Sequence, residues 1–315
     1  MTPVGSFRVR TKYALRIGSC AMAVLLCGSS LADRPTAASL SQSGGLAAIF
    51  SSPLPDVGRD EDAQPARDGA AIPDYPLDAV RDDGAAVPRL FLARVPADLR
   101  TLDSPEARKE RFVKVLLPLI LAENERIQVD RKRLLRVQES LKAGVPPSEP
   151  ERIWLQALAD RYDVDYDADG LSDTMETLVD RVDVVPPSLA IGQAALETGW
   201  GTSAAARGQA MFGQMIFSDD GERAEVRRFE RLAHAVRAYE LNLNTHKAYA
   251  LFRARRAGMR EHQKPLNGYE LALTLVRYSE RKMDYVKDVR GLIKANKLQP
   301  LDAARLDDGP QLAGG

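Results

Sequence analysis

Residues 185–217 read VPPSLAIGQAALETGWGTSAAARGQAMFGQMIF, and the rest of the chain is best read outward from them. Pro186 and Pro187 suit the first turn of a helix, where a missing N–H is tolerated. From Ser188 to Leu196 the residues are small or apolar on nearly every side, which marks a buried helix. Gly199 supplies its C-terminal stop. Glu197 is then the only ionisable side chain of the helix, in its last turn. A helix C-terminus carries partial negative charge, which disfavours a second anion. Trp200 and Phe212 are close enough in sequence to provide an apolar wall. Burial and like charge both raise a carboxyl pKa, and a carboxyl kept protonated near neutrality can serve as a general acid. The ordinary alternative is a solvated helix-end glutamate, the commoner fate of a carboxylate.

The block Ala194-Ala195-Leu196-Glu197-Thr198-Gly199-Trp200-Gly201-Thr202-Ser203, followed by Met211-Phe212-Gly213-Gln214, resembles the signature of the glucosaminidase-domain family, glycoside hydrolase family 73. Within that family the chain is most similar to the Bax-type proteins of Gram-negative bacteria. The run Val236-Arg237-Ala238-Tyr239-Glu240-Leu241-Asn242-Leu243-Asn244-Thr245-His246 and the segment Tyr278-Ser279-Glu280-Arg281 carry the likeness further. It covers roughly 88–298. The resemblance implies a mainly α, α+β fold of lysozyme-like plan, a helical domain with a small β-hairpin lobe. It also implies a peptidoglycan hydrolase with Glu197 as its acid.

The N-terminus reads as an export signal. Arg8, Arg10, Lys12 and Arg16 precede an apolar run from Ile17 to Gly28, and Ser30-Leu31-Ala32 is a small-x-small cleavage pattern. Residues 1–32 are therefore expected to be a signal peptide and the mature chain periplasmic. The apolar run is short for a membrane span, so stable membrane insertion is expected only if the signal stays uncleaved. Cys20 and Cys27, the only cysteines, lie inside it, so the mature chain has no disulfide. Formal charge is zero for the whole chain, and loss of four basic residues with the signal leaves 40 basic against 44 acidic. That gives no electrostatic footprint for nucleic acid. Residues 33–86, rich in Ala, Asp, Pro, Gly and Ser without a period, read as a disordered linker.

Order is expected from about residue 87 to 300, a glucosaminidase-like domain with an N-terminal helical extension. Ser104-Pro105 opens a long helix whose apolar stripe runs from Phe112 to Leu141, ended by Gly144 and Pro146-Pro147. Glu123 and Glu125 lie on it. A shorter helix covers Ile153 to Ala159. In DYDADGLSDTME, Asp165, Asp167, Asp169, Gly170 and Glu176 fill calcium-loop positions between helical segments, while an acidic turn capping the next helix has the same composition. No metal ligand set is assigned from it, and no cofactor is expected.

After the central helix, Met211 to Phe217 reads as a strand, Asp220-Gly221 as a turn, and Glu222 to Phe229 as the returning strand. In relatives a second catalytic carboxylate sits on such a lobe, and Glu222, Glu225 and Glu230 are the candidates here. One long helix is expected from Leu232 to Arg256, another from Leu271 to Tyr278, and a last from Val289 to Lys297. His234 and His246 fall in no triad or metal spacing and read as capping or packing residues. By resemblance Tyr278 lines the reaction centre, with Tyr285 behind it as a second. Residues 301–315 read as a disordered tail.

The function expected is an endo-β-N-acetylglucosaminidase, a glycoside hydrolase cleaving the β-1,4 bond after N-acetylglucosamine in peptidoglycan glycan strands and acting as a monomer. Glu197 would protonate the leaving oxygen. Water activated by Glu222 or Glu225 would invert the anomeric centre. Attack by the substrate's own N-acetyl group, with Tyr278 supporting the ring, would retain it. Trp200, Phe212, Gly213 and Gln214 would shape the sugar pocket. The alternatives are a lytic transglycosylase, which uses the same buried acid, and a non-catalytic peptidoglycan-binding scaffold.

Overall fold

The computed structural model describes residues 15–17, 74–217 and 224–308. Most are helical. Strand β1 is Leu15–Ile17, and α1 is Leu77–Asp82. After a 3-10 turn at Ala97–Arg100 comes α2, Pro105–Lys142, the longest element, at 38 residues about 57 Å long. Ser104 caps it by accepting from the Ala107 N–H at 3.2 Å. Helices α3 (Glu149–Arg161) and α4 (Leu171–Arg181) pack beside its second half. The motif helix α5 is Pro187–Thr198, followed by the short α6 (Ala204–Arg207). Strands β2 (Gln214–Phe217) and β3 (Ala224–Val226) come next, then α7 (Leu232–Thr245), α8 (Ala250–Glu261), α9 (Gly268–Leu271) and α10 (Met283–Ala295).

The sheet runs β1-β2-β3 with both pairs antiparallel, Leu15 opposite Ile216 and Ile216 opposite Glu225. The mainly α, α+β plan with a small hairpin is thus present. The hairpin's first strand, β2, starts three residues later than expected, because Gly213 takes a φ of +61° and breaks the extended run. The single helix expected over 232–256 is two. His246 leaves helical geometry (φ −68°, ψ 135°), and its Nδ1 accepts from the Ala248 N–H, so the chain turns through a 3-10 segment before α8. The helix expected over 271–278 is a 3-10 run, Ala272–Arg277, with a kink at Leu275.

Two apolar clusters are threaded by α2. Its first half puts Phe112, Leu116, Leu117 and Ile120 into the main core with α5, α7 and α10. Its second half puts Ile127, Leu134 and Val137 against Leu155, Leu158, Met175 and Leu178. Between the clusters lies the 182–186 segment that feeds α5. The buried Asp183 accepts from Arg260 at 2.8 and 3.1 Å, while the fully buried Arg256 donates to the carbonyls of Asp183 and Val184 and to Asn244 Oδ1. Buried charges are tolerable only with such pairing.

Two boundaries move. Residues 74–86, expected in the linker, put Tyr75, Leu77 and Val80 into the main core. Residues 301–306, expected in the tail, do the same with Leu301 and Leu306, and Leu306 bridges Val87. Low hydrophobicity across each segment hides a few well-placed apolar residues. The last segment also caps the motif helix. Asp302 accepts from the Ser188 N–H at 2.8 Å, the Ser188 hydroxyl at 2.9 Å and the Gly268 N–H at 2.9 Å. Proline at the helix start supplies no such cap, so a carboxylate distant in sequence supplies it. The expected signal cleavage and the rest of the linker and tail lie outside the described residues.

Candidate active site

The site is built where α5 ends. Residues 195 and 194 are fully buried, and Glu197 emerges half-buried in the last turn. Three successive residues then take left-handed backbone angles: Gly199 at φ +57°, Trp200 at +60° and Gly201 at +82°. Glycine takes that region freely, which accounts for the Gly-Trp-Gly spelling. The turn is closed by Thr198, whose hydroxyl donates to Ala194 O at 2.6 Å and accepts from the Gly201 N–H at 3.0 Å. A Cβ on Gly201 would meet Phe112 of α2 at 3.2 Å. The motif therefore packs on a helix that precedes it by some 80 residues.

Gly213 brings the second half of the motif to the first. A Cβ there would lie 2.7 Å from Glu197 Oε2 and 3.1 Å from its Cδ, so only a glycine admits the carboxyl at that spot. Burial raises the Glu197 pKa to about 7, working against a hydrogen bond from Tyr285 and the charge of Arg281, both of which lower it. Tyr249, Tyr278 and Tyr285 all feel the Glu197 charge. The carboxyl thus sits in a tyrosine-rich, largely dry site with one guanidinium at its edge. Such a group can hold a proton near neutrality and release it.

The other expected site residues divide. Gln214, next to Gly213, is 1% exposed, and neither atom of its amide finds a hydrogen-bond partner among the described residues. Trp200 is partly exposed, edge-on to Phe112 at 5.6 Å, with the Lys109 ammonium 5.8 Å from its ring. Phe212 does not present a face to a sugar. Its ring is 1% exposed and stacked on Tyr239 at 4.0 Å, because the apolar ring gains more in the core than at the cleft. Tyr278 also lies below the surface. Its hydroxyl donates to Phe212 O at 2.8 Å and its ring stacks on Tyr285 at 5.3 Å. It fixes the backbone before Gly213 and has no free reach to a substrate. Tyr285, placed behind it from sequence, is the tyrosine whose hydroxyl lowers the Glu197 pKa.

Glu225 lies exposed on β3 opposite Ile216. Strand alternation places Ile216 on the same sheet face as Gln214, and hence Glu225 too. Glu222 lies outside the described residues. Glu230 is exposed. No carboxylate is among the groups that act on Glu197 in the described part of the chain. His234 sits in a separate cleft between α2 and α7 with Glu123, Arg126 and Arg237, while His246 is held well below its usual pKa, at about 4, by burial and then by Lys247 and Arg253. In the acidic 165–176 loop the Asp167 carboxylate accepts from the Asp169 N–H, forming a turn into α4. Among the described residues no three His, Cys, Asp or Glu side chains gather as metal ligands. No helix among them is long and apolar enough to cross a membrane.

With this geometry in hand the comparisons are specific. Residues 173–298 match the family model described as mannosyl-glycoprotein endo-beta-N-acetylglucosaminidase. The chain is 32% identical over 194 residues to "Protein bax" of Escherichia coli (strain K12), covering 60% of this chain and 69% of that protein. The chain belongs to the glucosaminidase-domain family, in its Bax-type branch. No solved structure matches it. Membership supports a glycoside hydrolase connected with peptidoglycan. The family match begins inside α4, so α1, α2 and α3 form the N-terminal part of the fold, and α2 supports the motif turn through Phe112.

Proposed function

We propose that the chain is an endo-β-N-acetylglucosaminidase of peptidoglycan, with Glu197 as its general acid. The observation that carries this reading is the Glu197 carboxyl itself, raised to about 7 by burial and seated against Gly213. The glycan strand is cleaved at the β-1,4 bond after N-acetylglucosamine. The Glu197 proton passes to the departing glycosidic oxygen as the C1–O bond breaks through an oxocarbenium-like state.

Attack on C1 by the acetamido oxygen of the substrate needs no second protein carboxylate and is the route proposed; among the described residues no carboxylate acts on Glu197, and Glu222 lies outside them. The cyclic intermediate is then opened by water, whose proton returns to Glu197, with net retention. The unspent donor and acceptor of the Gln214 amide match an acetamido group, which needs one of each. Glu225, on the same sheet face as Gln214, is the candidate base among the described residues should water attack directly, and Glu222 lies outside them. The enzyme acts as a monomer in the periplasm, reached through the basic-then-apolar leader of residues 1–32.

The same single acid would serve a lytic transglycosylase, and product ends separate the two. Purified peptidoglycan is digested with the mature chain and with Glu197→Gln, and the fragments are analysed by mass spectrometry. Reducing N-acetylglucosamine ends, absent with the variant, are expected. Anhydro-muramyl ends would move the assignment to transglycosylase. Binding without cleavage by either protein would leave a wall-binding scaffold.

A further inference from the structure

A buried chain of three neutral side chains ends on Glu197. The Tyr239 hydroxyl donates to Gln193 Oε1 at 2.7 Å, and Gln193 Nε2 donates to the Tyr285 hydroxyl oxygen at 2.9 Å. The Tyr285 hydroxyl in turn acts on the Glu197 carboxyl and lowers its pKa. Gln193 and both tyrosines are at most 1% exposed, so no bulk water competes for these bonds.

An amide has a donor end and an acceptor end, and a tyrosine hydroxyl has one proton. With its oxygen held by Tyr239, the Gln193 amide presents its N–H to Tyr285. The Tyr285 oxygen is then already accepting, and its single proton is left for the carboxylate. Turned over, the amide would offer its oxygen to Tyr285, and that proton would be drawn from Glu197.

We propose that Tyr239 and Gln193 are positioning residues that set the direction of this chain, so that Tyr285 donates to Glu197 rather than to the protein interior. The inference rests on Glu197 being the proton-carrying group of the site, the reading given above. Its consequence is that the carboxylate left after proton donation is stabilised from behind, opposing the burial that favours the neutral acid. Arg281 acts in the same sense from the segment before α10, although its guanidinium is also paired with Asp288 at 2.5 Å. Tyr249 and Tyr278 face Glu197 as well, and the Tyr278 hydroxyl is committed to Phe212 O.

The test follows the proton on Glu197 directly. The Glu197 side-chain carboxyl carbon, assigned by its loss in Glu197→Gln, is titrated by carbon-13 NMR in the full chain and in four variants. Tyr285→Phe removes the donor, and its midpoint is expected to rise by about one unit or more, a tenfold gain in proton affinity. Tyr239→Phe frees the amide to turn over, and the midpoint is expected to rise in the same direction. Gln193→Met removes the amide and offers Tyr285 no rival acceptor, so the midpoint stays near that of the parent. Tyr239→Phe combined with Gln193→Met returns toward the parent, whereas two merely structural losses would add. A Tyr239→Phe midpoint equal to the parent's, or a double variant shifted beyond either single one, overturns the proposal. If Tyr239→Phe does not fold, a Tyr285→Phe midpoint at or below the parent's overturns it alone. The readout needs no substrate, so failure of the proposed hydrolase activity would leave this test intact.

Discussion

The Glu197 carboxyl occupies the space that a side chain on Gly213 would fill: a Cβ on Gly213 would come within 2.7 Å of Glu197 Oε2. The two halves of the motif are therefore one object. Gly213→Ala is expected to suffer twice. Its φ of +61° costs an alanine about 1–2 kcal/mol. Its methyl also displaces the acid, and a shift of that size costs about 100-fold in kcat. Gly199→Ala is the control. Its φ of +57° imposes similar strain, but its Cβ meets only Thr202 Oγ1, at 3.1 Å. Thermal melts should show both variants weakened alike, while glycan cleavage falls much further for Gly213→Ala. Equal activity losses would mean that the contact with Glu197 does not matter.

The same carboxyl sets a pH dependence. An acid catalyst works while protonated, so kcat/KM is expected to hold below about pH 7 and fall above it. Stability follows the same sign. The folded pKa is raised above the ordinary 4.5, so the contribution of Glu197 is fully present below 4.5 and is lost as pH rises through about 7. Glu197→Gln is therefore expected to be inactive yet more stable than the parent at pH 8, by up to about 3 kcal/mol, with the difference closing near pH 4.5. Melting both proteins at the two pH values decides it; a gap of constant size would show that Glu197 is not the titrating group.

Much of this was legible in the sequence, for a physical reason. The all-apolar run of α5, its proline start and its glycine stop are local signals, and they placed Glu197 correctly in the last turn. The expected Asp220-Gly221 turn lies outside the described residues. What was not legible depends on partners far away in the chain. Phe212 and Tyr278 read as cleft residues because an aromatic near an acid looks the same whether it faces inward or outward. Only the stacking of Phe212 on Tyr239, and the bond from Tyr278 to Phe212 O, send them into the core. Tyr285 also follows from position: its spacing from Tyr278 carries a local signal. It lies seven residues after Tyr278, two turns along if the chain were helical throughout, but the break before α10 changes which ring reaches the acid.

Asp302 extends this point to stability. Three donors from two other segments converge on it, two of them at the start of the motif helix. Burial raises its pKa to about 6, opposed by those same hydrogen bonds. Asp302→Ala would leave the Ser188 N–H, the Ser188 hydroxyl and the Gly268 N–H without their acceptor. The expected cost is about 1–3 kcal/mol. Asp302→Asn keeps one acceptor oxygen and should recover part of the loss. Urea unfolding of the three proteins measures both. An unchanged midpoint for Asp302→Ala would show that the segment after α10 is not a cap but only a neighbour.

Glu240 offers the sharpest stability test, because nothing in the proposed chemistry uses it. It is 0% exposed on α7, and neither carboxyl oxygen has a hydrogen-bond partner among the described residues. Burial, and then the nearby Glu123 charge, push its pKa well above 4.5, against Arg126 and Arg256. Glu123 is itself held by Arg126 and Arg237, so those cations are already engaged. Glu240 therefore keeps its proton to a higher pH in the folded chain than in the unfolded one. A raised folded pKa means stability present below about 4.5 and lost as pH rises toward the folded value, at about 1.4 kcal/mol per pH unit. Glu240→Met keeps the length and removes the ionisation. Its melting temperature is expected to exceed that of the parent at pH 8, with a lead that shrinks steadily toward pH 4.5. A variant less stable than the parent at every pH would instead place Glu240 in an ionised, paired state, and the carboxyl would have to be counted with the arginines around Glu123.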